Sequence, residues 1–149
     1  MPLSRLIYFS QTVALDSETA ERHVENILDV ARQKNEESGI TGILLSDTHY
    51  YLQLLEGRRR PLNETYARIL KSDLHTDVML LDFRAIEKRA FDGFKMLYQP
   101  IDGTLSRVIG NMIDPKSAFD VMTAETLAAL LSLYKNTDFQ EGAVWDVGR

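Results

Sequence analysis

The amino-acid sequence predicts an α+β domain in which helices pack on a mixed β-sheet. Strand-like runs of aliphatic and aromatic residues alternate with two segments of helical periodicity, and their order along the chain is βαββαβ. The chain has 149 residues, of which 44% are hydrophobic and 26% are charged. This length and composition are typical of one globular domain with its own core and a short C-terminal appendage.

The first strand and the first helix are predicted near the N-terminus. Residues 3–9 are mostly aliphatic or aromatic, which favours a largely buried strand, and the polar Ser10 is expected to end it. Residues 17–35 carry apolar side chains at three- and four-residue spacing, with Asp16 or Ser17 as the N-cap. We expect this helix to pack on the sheet through Val24, Ile27, Leu28 and Ala31.

A hairpin, a second helix and two further strands are predicted next. Residues 40–46 and 50–56 are strand-like and are separated by a short polar segment, which is the pattern of a β-hairpin. Residues 62–72 repeat apolar side chains at helical spacing. The last two predicted strands are residues 78–86 and 94–101.

This order is the ferredoxin-like, or split βαβ, arrangement with one extra strand, βαββαβ(β). Right-handed crossovers place the first and third strands side by side, so Tyr8 and Gln53 should be neighbours, with both helices on one face. Residues 124–134 are rich in Ala and Leu, and we expect C-terminal helices to cover the other face with Leu127, Leu130, Leu131 and Tyr134. The predicted division is an α+β domain at residues 1–100, which is long enough to hold a small-molecule site, and a helical extension for output or oligomerisation at residues 101–149.

Composition and motifs exclude several classes of protein. A formal charge of -5, from 17 Lys and Arg against 22 Asp and Glu, argues against a nucleic-acid partner. The chain has no cysteine, which excludes disulfides, thiolate nucleophiles, Cys-ligated metals and photosensors that form a cysteine–flavin adduct. Its three histidines lack metal-ligand spacing, and we expect no metal. No apolar run is long enough to span a membrane and no signal peptide is recognisable, so we expect a cytoplasmic protein with no membrane partner.

Polar residues inside the predicted elements are candidates for a binding site, although each also has an ordinary structural explanation. Gln53 lies on the same strand face as Tyr51, so its amide needs hydrogen-bond partners if that face is buried. For Tyr8 the residue pattern favours a packed ring whose hydroxyl is satisfied over a functional group. Asn35 suits a helix C-terminal cap, and Arg68 suits a solvated charge. The residue pattern alone leaves these alternatives open.

Five segments stand out for their order and spacing. They are RLIYFS at residues 5–10, NEESGITGILL at 35–45, QLLEG at 53–57, NETYARI at 63–69 and RAFDGFKM at 89–96. Together they resemble the BLUF family of flavin-binding blue-light sensors, over about two-thirds of the chain. The resemblance implies a non-covalently bound oxidised flavin, which we expect to be FAD, with FMN and riboflavin as alternatives.

The resemblance also implies a role for each candidate residue. Tyr8 would be the electron and proton donor, Gln53 the amide between Tyr8 and the flavin, and Met96 the neighbour of Gln53. The implied flavin contacts are Asn35 and Arg68 at the carbonyl edges, Ile27 and Ile69 on the two ring faces, and Lys34 and His75 as further contacts.

Four positions differ from the family pattern. Phe94 stands where a tryptophan is frequent, and Ser72 stands where an aspartate often helps to hold the flavin. Lys34 stands where Asn or His precedes the key asparagine, and Ser46 where a tyrosine often ends the strand.

The mechanism that the resemblance implies is photochemical and not enzymatic. Excited flavin takes an electron and a proton from Tyr8, and their return leaves Gln53 rotated or tautomerised. Because the chain ends soon after the predicted sensor, we expect the signal to reach a separate signalling protein, and we expect a homo-oligomer. Two other functions stay open, namely a ferredoxin-like ligand-binding or interaction module without photochemistry and a small flavin or acyl-transfer enzyme.

Overall fold

The structure, a computed structural model, describes residues 2–46, 49–100 and 145–146. Within these ranges the elements are β1 (Leu3–Thr12), α1 (Ser17–Ser38), β2 (Thr41–Ser46), β3 (Tyr50–Gly57), α2 (Arg59–Leu70), β4 (His75–Ile86), β5 (Leu97–Pro100) and β6 (Trp145–Asp146). The α+β fold and the element order predicted from the sequence are confirmed. The predicted C-terminal helices fall on residues 101–144, which lie outside the described residues.

The strands form one mixed sheet in the order β4-β1-β3-β2-β5-β6. β1 pairs antiparallel with both β3 and β4, and Tyr8 lies directly opposite Gln53. β5 pairs parallel with β2, and β6 adds a short antiparallel strand beyond it that the sequence did not predict. The topology rule that placed the first and third strands side by side is therefore confirmed.

The ends of both helices follow from local backbone requirements. The Asp16 carboxylate caps α1 by accepting a hydrogen bond from the Thr19 amide at 2.7 Å, and Gly39, with φ of 68°, ends the helix in the left-handed conformation. α2 begins at Arg59, earlier than predicted. Pro61 is accommodated in its first turn, where an amide hydrogen would have no intrahelical acceptor.

β1 extends past the polar residue that was expected to end it. The Ser10 side chain is fully buried, and its hydroxyl lies 2.7 Å from His75 Nδ1. Because this polar group has a buried partner, it can remain inside a strand, and β1 continues to Thr12. His75 begins β4, so that strand also starts earlier than predicted.

β5 is shorter than predicted because residues 89–96 form an irregular segment, which we call the strap. Gly93 has φ of 87°, and the Phe94 amide donates to the Phe91 carbonyl at 3.3 Å, which makes a turn inside the strap. The Phe94 carbonyl in turn accepts from the Gly42 amide at 3.0 Å. The strap therefore approaches the sheet as a turn, and regular pairing begins only at Leu97.

The sheet contributes side chains to a hydrophobic cluster on each of its faces. The cluster on the helix side consists of Leu6, Tyr8, Val24, Leu28, Ile40, Leu44, Tyr51, Leu55, Leu62, Met96 and Tyr98. The cluster on the opposite side consists of Ile7, Phe9, Ile43, Leu45, Leu52, Leu54, Phe91 and Leu97, with Phe94 packed against it. The strap thus joins the two faces, because its phenylalanines pack on one side and Met96 on the other.

Candidate functional site

A cleft opens between α1 and α2 above the helix-side face of the sheet. It has an empty volume of about 760 Å³, including space that is open to solvent at its mouth. The structure brings all the predicted site residues to its walls, together with Ser72: Tyr8, Ile27, Lys34, Asn35, Gln53, Arg68, Ile69, His75 and Met96. Phe94 is not among the lining residues, because it packs on the other face of the sheet.

Tyr8, Gln53 and Met96 form a hydrogen-bonded chain at the floor of the cleft. The Tyr8 hydroxyl donates to Gln53 Oε1 at 2.5 Å, and Gln53 Nε2 donates to Met96 Sδ at 3.3 Å. All three side chains are at most 3% exposed. A thioether sulfur can accept but cannot donate, so this amide orientation gives both ends of Gln53 a partner.

The environment of Tyr8 keeps its phenol protonated. Burial raises the pKa of Tyr8 far above its ordinary value, and the nearby Tyr51 and Tyr66 phenols act in the same direction. The hydroxyl is therefore a hydrogen-bond donor at neutral pH. Loss of a proton from Tyr8 in the ground state would be strongly unfavourable.

The helices supply apolar walls and two cations. Ile27 on α1 and Ile69 on α2 are partly buried and pack against the helix-side cluster. Lys34 and Arg68 are exposed at the cleft, and none of the described lining residues is Asp or Glu. The Arg68 guanidinium donates to Thr65 Oγ1 at 3.2 Å, which holds it beside the cleft. A neutral or anionic ligand suits this charge distribution better than a cationic ligand.

Asn35 connects the cleft to the strap. Its side chain is buried, and Nδ2 donates to the Lys95 carbonyl at 2.6 Å. The same residue accepts hydrogen bonds through its backbone carbonyl at the end of α1, from the Gly39 and Ile40 amides. The interpretation of Asn35 as the C-terminal cap is wrong, because α1 continues to Ser38 and Gly39 caps it, whereas the side chain of Asn35 lies at the cleft wall.

His75 closes one end of the cleft in a fixed tautomer. Its Nε2 lies 3.1 Å from the Ile69 carbonyl, which can only accept, so Nε2 carries the hydrogen and Nδ1 accepts from the Ser10 hydroxyl. Burial lowers the pKa of His75, although the Ile69 carbonyl opposes this shift. The sequence interpretation did not include Ser10 in the site; its period-two spacing from Tyr8 was the available signal.

These features fit a flavin. A flat heteroaromatic ring needs apolar faces above and below and hydrogen-bonding groups at its edges, and the cleft offers the two isoleucines together with the Gln53, Asn35 and Arg68 side chains. The amides of Gln53 and Asn35 are buried at the cleft wall. Any hydrogen-bonding capacity that their protein partners leave unused is therefore available to a ligand in the cleft and not to bulk water.

The comparison with known families agrees with this chemistry. A family model described as BLUF, sensors of blue-light using FAD, matches residues 3–97. The chain belongs to the BLUF family. BLUF domains bind flavin, so flavin is the cofactor and the chain is a blue-light sensor. This membership favours the light-sensor prediction over the other two functions that the sequence left open.

The chain is also similar to part of a longer protein. The blue light- and temperature-regulated antirepressor BluF of Escherichia coli (strain K12) is 29% identical over 111 residues, which are 71% of this chain and 27% of that protein. The chain thus spans about a quarter of the length of this relative.

In the part of the chain that the structure describes, no helix is long and apolar enough to cross a membrane.

Solved structures show the same fold. BlsA in its photo-activated state has a TM-score of 0.74 and 23% identity, and the match covers 91% of this chain and 96% of that one. Klebsiella pneumoniae BlrP1, determined with FMN and cyclic diGMP, has a TM-score of 0.61 and 25% identity, over 94% of this chain and 35% of that one.

Proposed function

We propose that this BLUF chain detects blue light through a hydrogen-bond switch made of Tyr8, Gln53 and Met96, and that it signals to a separate protein. The observation that carries the proposal is the buried chain from the Tyr8 hydroxyl through the Gln53 amide to the Met96 sulfur, at the wall of the flavin cleft. An amide has a donor and an acceptor on separate atoms, so a rotation or a tautomer change exchanges them between its two neighbours.

The resting and switched states differ in what Gln53 presents to each neighbour. A bound oxidised flavin would supply the absorption of blue light and an acceptor for one electron. Tyr8 gives up an electron, and its proton leaves along the hydrogen bond to Gln53 Oε1. When the electron and the proton have returned, Gln53 is left rotated or tautomerised, and in the rotated form Nε2 donates to the Tyr8 oxygen.

The other cleft residues hold the ring and orient it. Ile27 and Ile69 would pack on its two faces, Asn35 and Arg68 would hydrogen-bond its carbonyl edges, and Lys34 and His75 would contact more distant parts. FAD is the flavin that we propose, with FMN and riboflavin as the alternatives. None of these six residues takes part in the proton movement between Tyr8 and Gln53.

The output of the switch is proposed to pass through Met96. Rotation of Gln53 removes the donor from the Met96 sulfur, and Met96 directly precedes β5, which pairs with β2 and β6. A change at Met96 is thereby placed next to β5, the strand between β2 and the edge strand β6. We propose that a partner protein in trans reads this change, that residues 101–149 contribute to it, and that the chain acts as a homo-oligomer.

The decisive experiment is the light-minus-dark absorption spectrum of Gln53→Leu. We expect this variant to remain yellow and to lose the light-induced red shift. Loss of one neutral hydrogen bond costs about 0.5 to 1.5 kcal/mol, at most roughly tenfold in flavin affinity. Gln11→Leu makes the same substitution on β1 outside the cleft and should switch like the parent protein. A reversible, parent-like red shift in Gln53→Leu would refute the switch.

A further inference from the structure

A buried carboxylate fastens the start of the strap to the sheet. Glu56 lies near the end of β3 and has no exposed surface. Its Oε1 accepts from the Ala90 amide at 2.9 Å and from the Phe91 amide at 2.8 Å, and its Oε2 accepts from the Ala90 amide at 3.0 Å. Burial of a carboxylate is costly unless such donors compensate for the lost water, so the position of these two amides is tightly defined.

The strap reaches back to the sheet through Arg89. Its guanidinium donates to the Gly39 carbonyl at 2.8 Å, to Thr41 Oγ1 at 2.8 Å and to the Glu56 carbonyl at 2.9 Å. These acceptors belong to the cap of α1, to β2 and to β3. We call Glu56 and Arg89, with these hydrogen bonds, the latch.

The far end of the strap leads into the switch. Beyond the turn at Gly93, the Gly42 amide binds the Phe94 carbonyl and the Asn35 side chain binds the Lys95 carbonyl, and the next residue is Met96. The latch and these two hydrogen bonds therefore hold the strap on both sides of its turn. Met96 meets Gln53 at 3.3 Å through a weak acceptor, and that contact depends on accurate placement of the sulfur.

We propose that Glu56 and Arg89 are positioning residues of the photoswitch, which hold Met96 against Gln53 from the other end of the strap. This inference rests on the proposed switch, because it assigns the latch an effect on Met96. The latch touches neither the cleft nor Gln53, so its influence must pass through the strap. It also links the switch to the opposite face of the sheet, where Phe91 is buried.

The first test is the rate at which the red-shifted state relaxes to the resting state in the dark. Glu56→Gln keeps the length of the side chain but replaces one of its two oxygens with an NH2 group. This NH2 group cannot accept the hydrogen bonds that the Ala90 and Phe91 amides donate to the carboxylate. The Met96 sulfur then stabilises the resting Gln53 orientation less. Part of this lost stabilisation raises the free-energy barrier to recovery in the dark. We expect recovery to slow about threefold to tenfold, within the range of one weakened hydrogen bond. Glu87→Gln, at an exposed glutamate just before the strap, should recover like the parent protein.

A double-mutant cycle with Met96→Leu separates positioning from general destabilisation. Leucine removes the sulfur acceptor, so Glu56→Gln should have no further effect on recovery in the Met96→Leu background. Equal slowing in both backgrounds would overturn the proposal, because the latch would then act independently of Met96. A parent-like recovery rate in Glu56→Gln alone would also overturn it.

A second readout keeps the latch distinguishable from the switch itself. The ¹³C-methyl resonance of Met96, assigned by its absence in Met96→Leu, should shift or broaden in Glu56→Gln in the dark, both with and without flavin. An unchanged resonance overturns the latch even if Gln53→Leu is photochemically silent. A shifted resonance, together with a Gln53→Leu variant that still switches, would show that the latch positions Met96 while the proposed switch is wrong.

Discussion

The Tyr8–Gln53 hydrogen bond predicts a particular pattern of stability in single and double variants. Tyr8→Phe leaves Gln53 Oε1 without its donor, and Gln53→Leu leaves the Tyr8 hydroxyl without its acceptor. Tyr8 is 2% exposed and Gln53 is 3% exposed, so neither group can recover its partner from bulk water. Each single substitution should therefore lower the free energy of unfolding by about 1 to 3 kcal/mol.

The double variant should be less destabilised than the sum of the two single variants. Tyr8→Phe/Gln53→Leu removes both polar groups, and neither is left buried without a partner. If the double variant costs about as much as one single variant, the coupling energy is about 1 to 3 kcal/mol, and it is larger if removal of both members is nearly neutral. This magnitude depends on the 2.5 Å contact and on the burial of both groups.

The measurement is urea unfolding in the dark at one fixed flavin concentration. Flavin binding adds RT ln(1 + [L]/Kd) to the apparent stability, so the Kd of each variant is measured and this contribution is subtracted. Tyr66→Phe combined with Gln53→Leu is the control, because the Tyr66 ring lies 6.1 Å from the Tyr8 ring and outside the hydrogen-bonded chain. Additivity of Tyr8→Phe and Gln53→Leu within about 0.5 kcal/mol would refute this reasoning.

Three further predictions concern Tyr8, His75 and the C-terminal helix that the sequence predicts. Tyr8→Phe should slow the quenching of flavin fluorescence severalfold, since a phenyl ring is much harder to oxidise than a phenol; unchanged ultrafast decay would reveal another donor, with Tyr66 first to test. Because burial lowers the pKa of folded His75 below its unfolded value, stability should fall as pH drops below about 6.5 and level off once His75 is protonated in both states. His75→Gln should flatten that part of a pH series of urea unfolding curves, and an unchanged pH dependence in this variant would contradict the assignment. If the C-terminal helix covers the sheet, Leu130→Glu should lower the free energy of unfolding by about 1.5 to 3 kcal/mol and so lower the melting temperature. Ser132→Glu should not lower it. Equal melting curves for the two variants would contradict that packing.

The sequence predicted the fold and the central contact because both depend on local pattern and chain topology. Strand and helix periodicities placed β1 and β3 correctly, and the crossover rule made Tyr8 and Gln53 neighbours. The contacts of Met96, Asn35 and Arg68 with the cleft came from the family resemblance alone. Their spacing in the sequence contains no signal for a shared site.

The parts that the sequence did not predict depend on long-range polar partners. Ser10 was interpreted as a strand end because its acceptor, His75, is 65 positions away. Residues 94–96 of the strap were interpreted as the start of β5 because their apolar character resembles a strand, whereas the Phe94 and Lys95 carbonyls accept hydrogen bonds from the Gly42 amide and the Asn35 side chain. Residue type and periodicity do not identify such partners before the fold is known.

The acceptor-only sulfur of Met96 determines what kind of light measurement the proposed switch can make. In the rotated form the Gln53 oxygen faces a group that cannot donate to it, so the resting form is favoured and returns unaided in darkness. The fraction of switched molecules under steady illumination is then set by the rate of photon absorption relative to the rate of thermal return. Such a receptor reports irradiance averaged over its own relaxation time and keeps no lasting record of a past exposure.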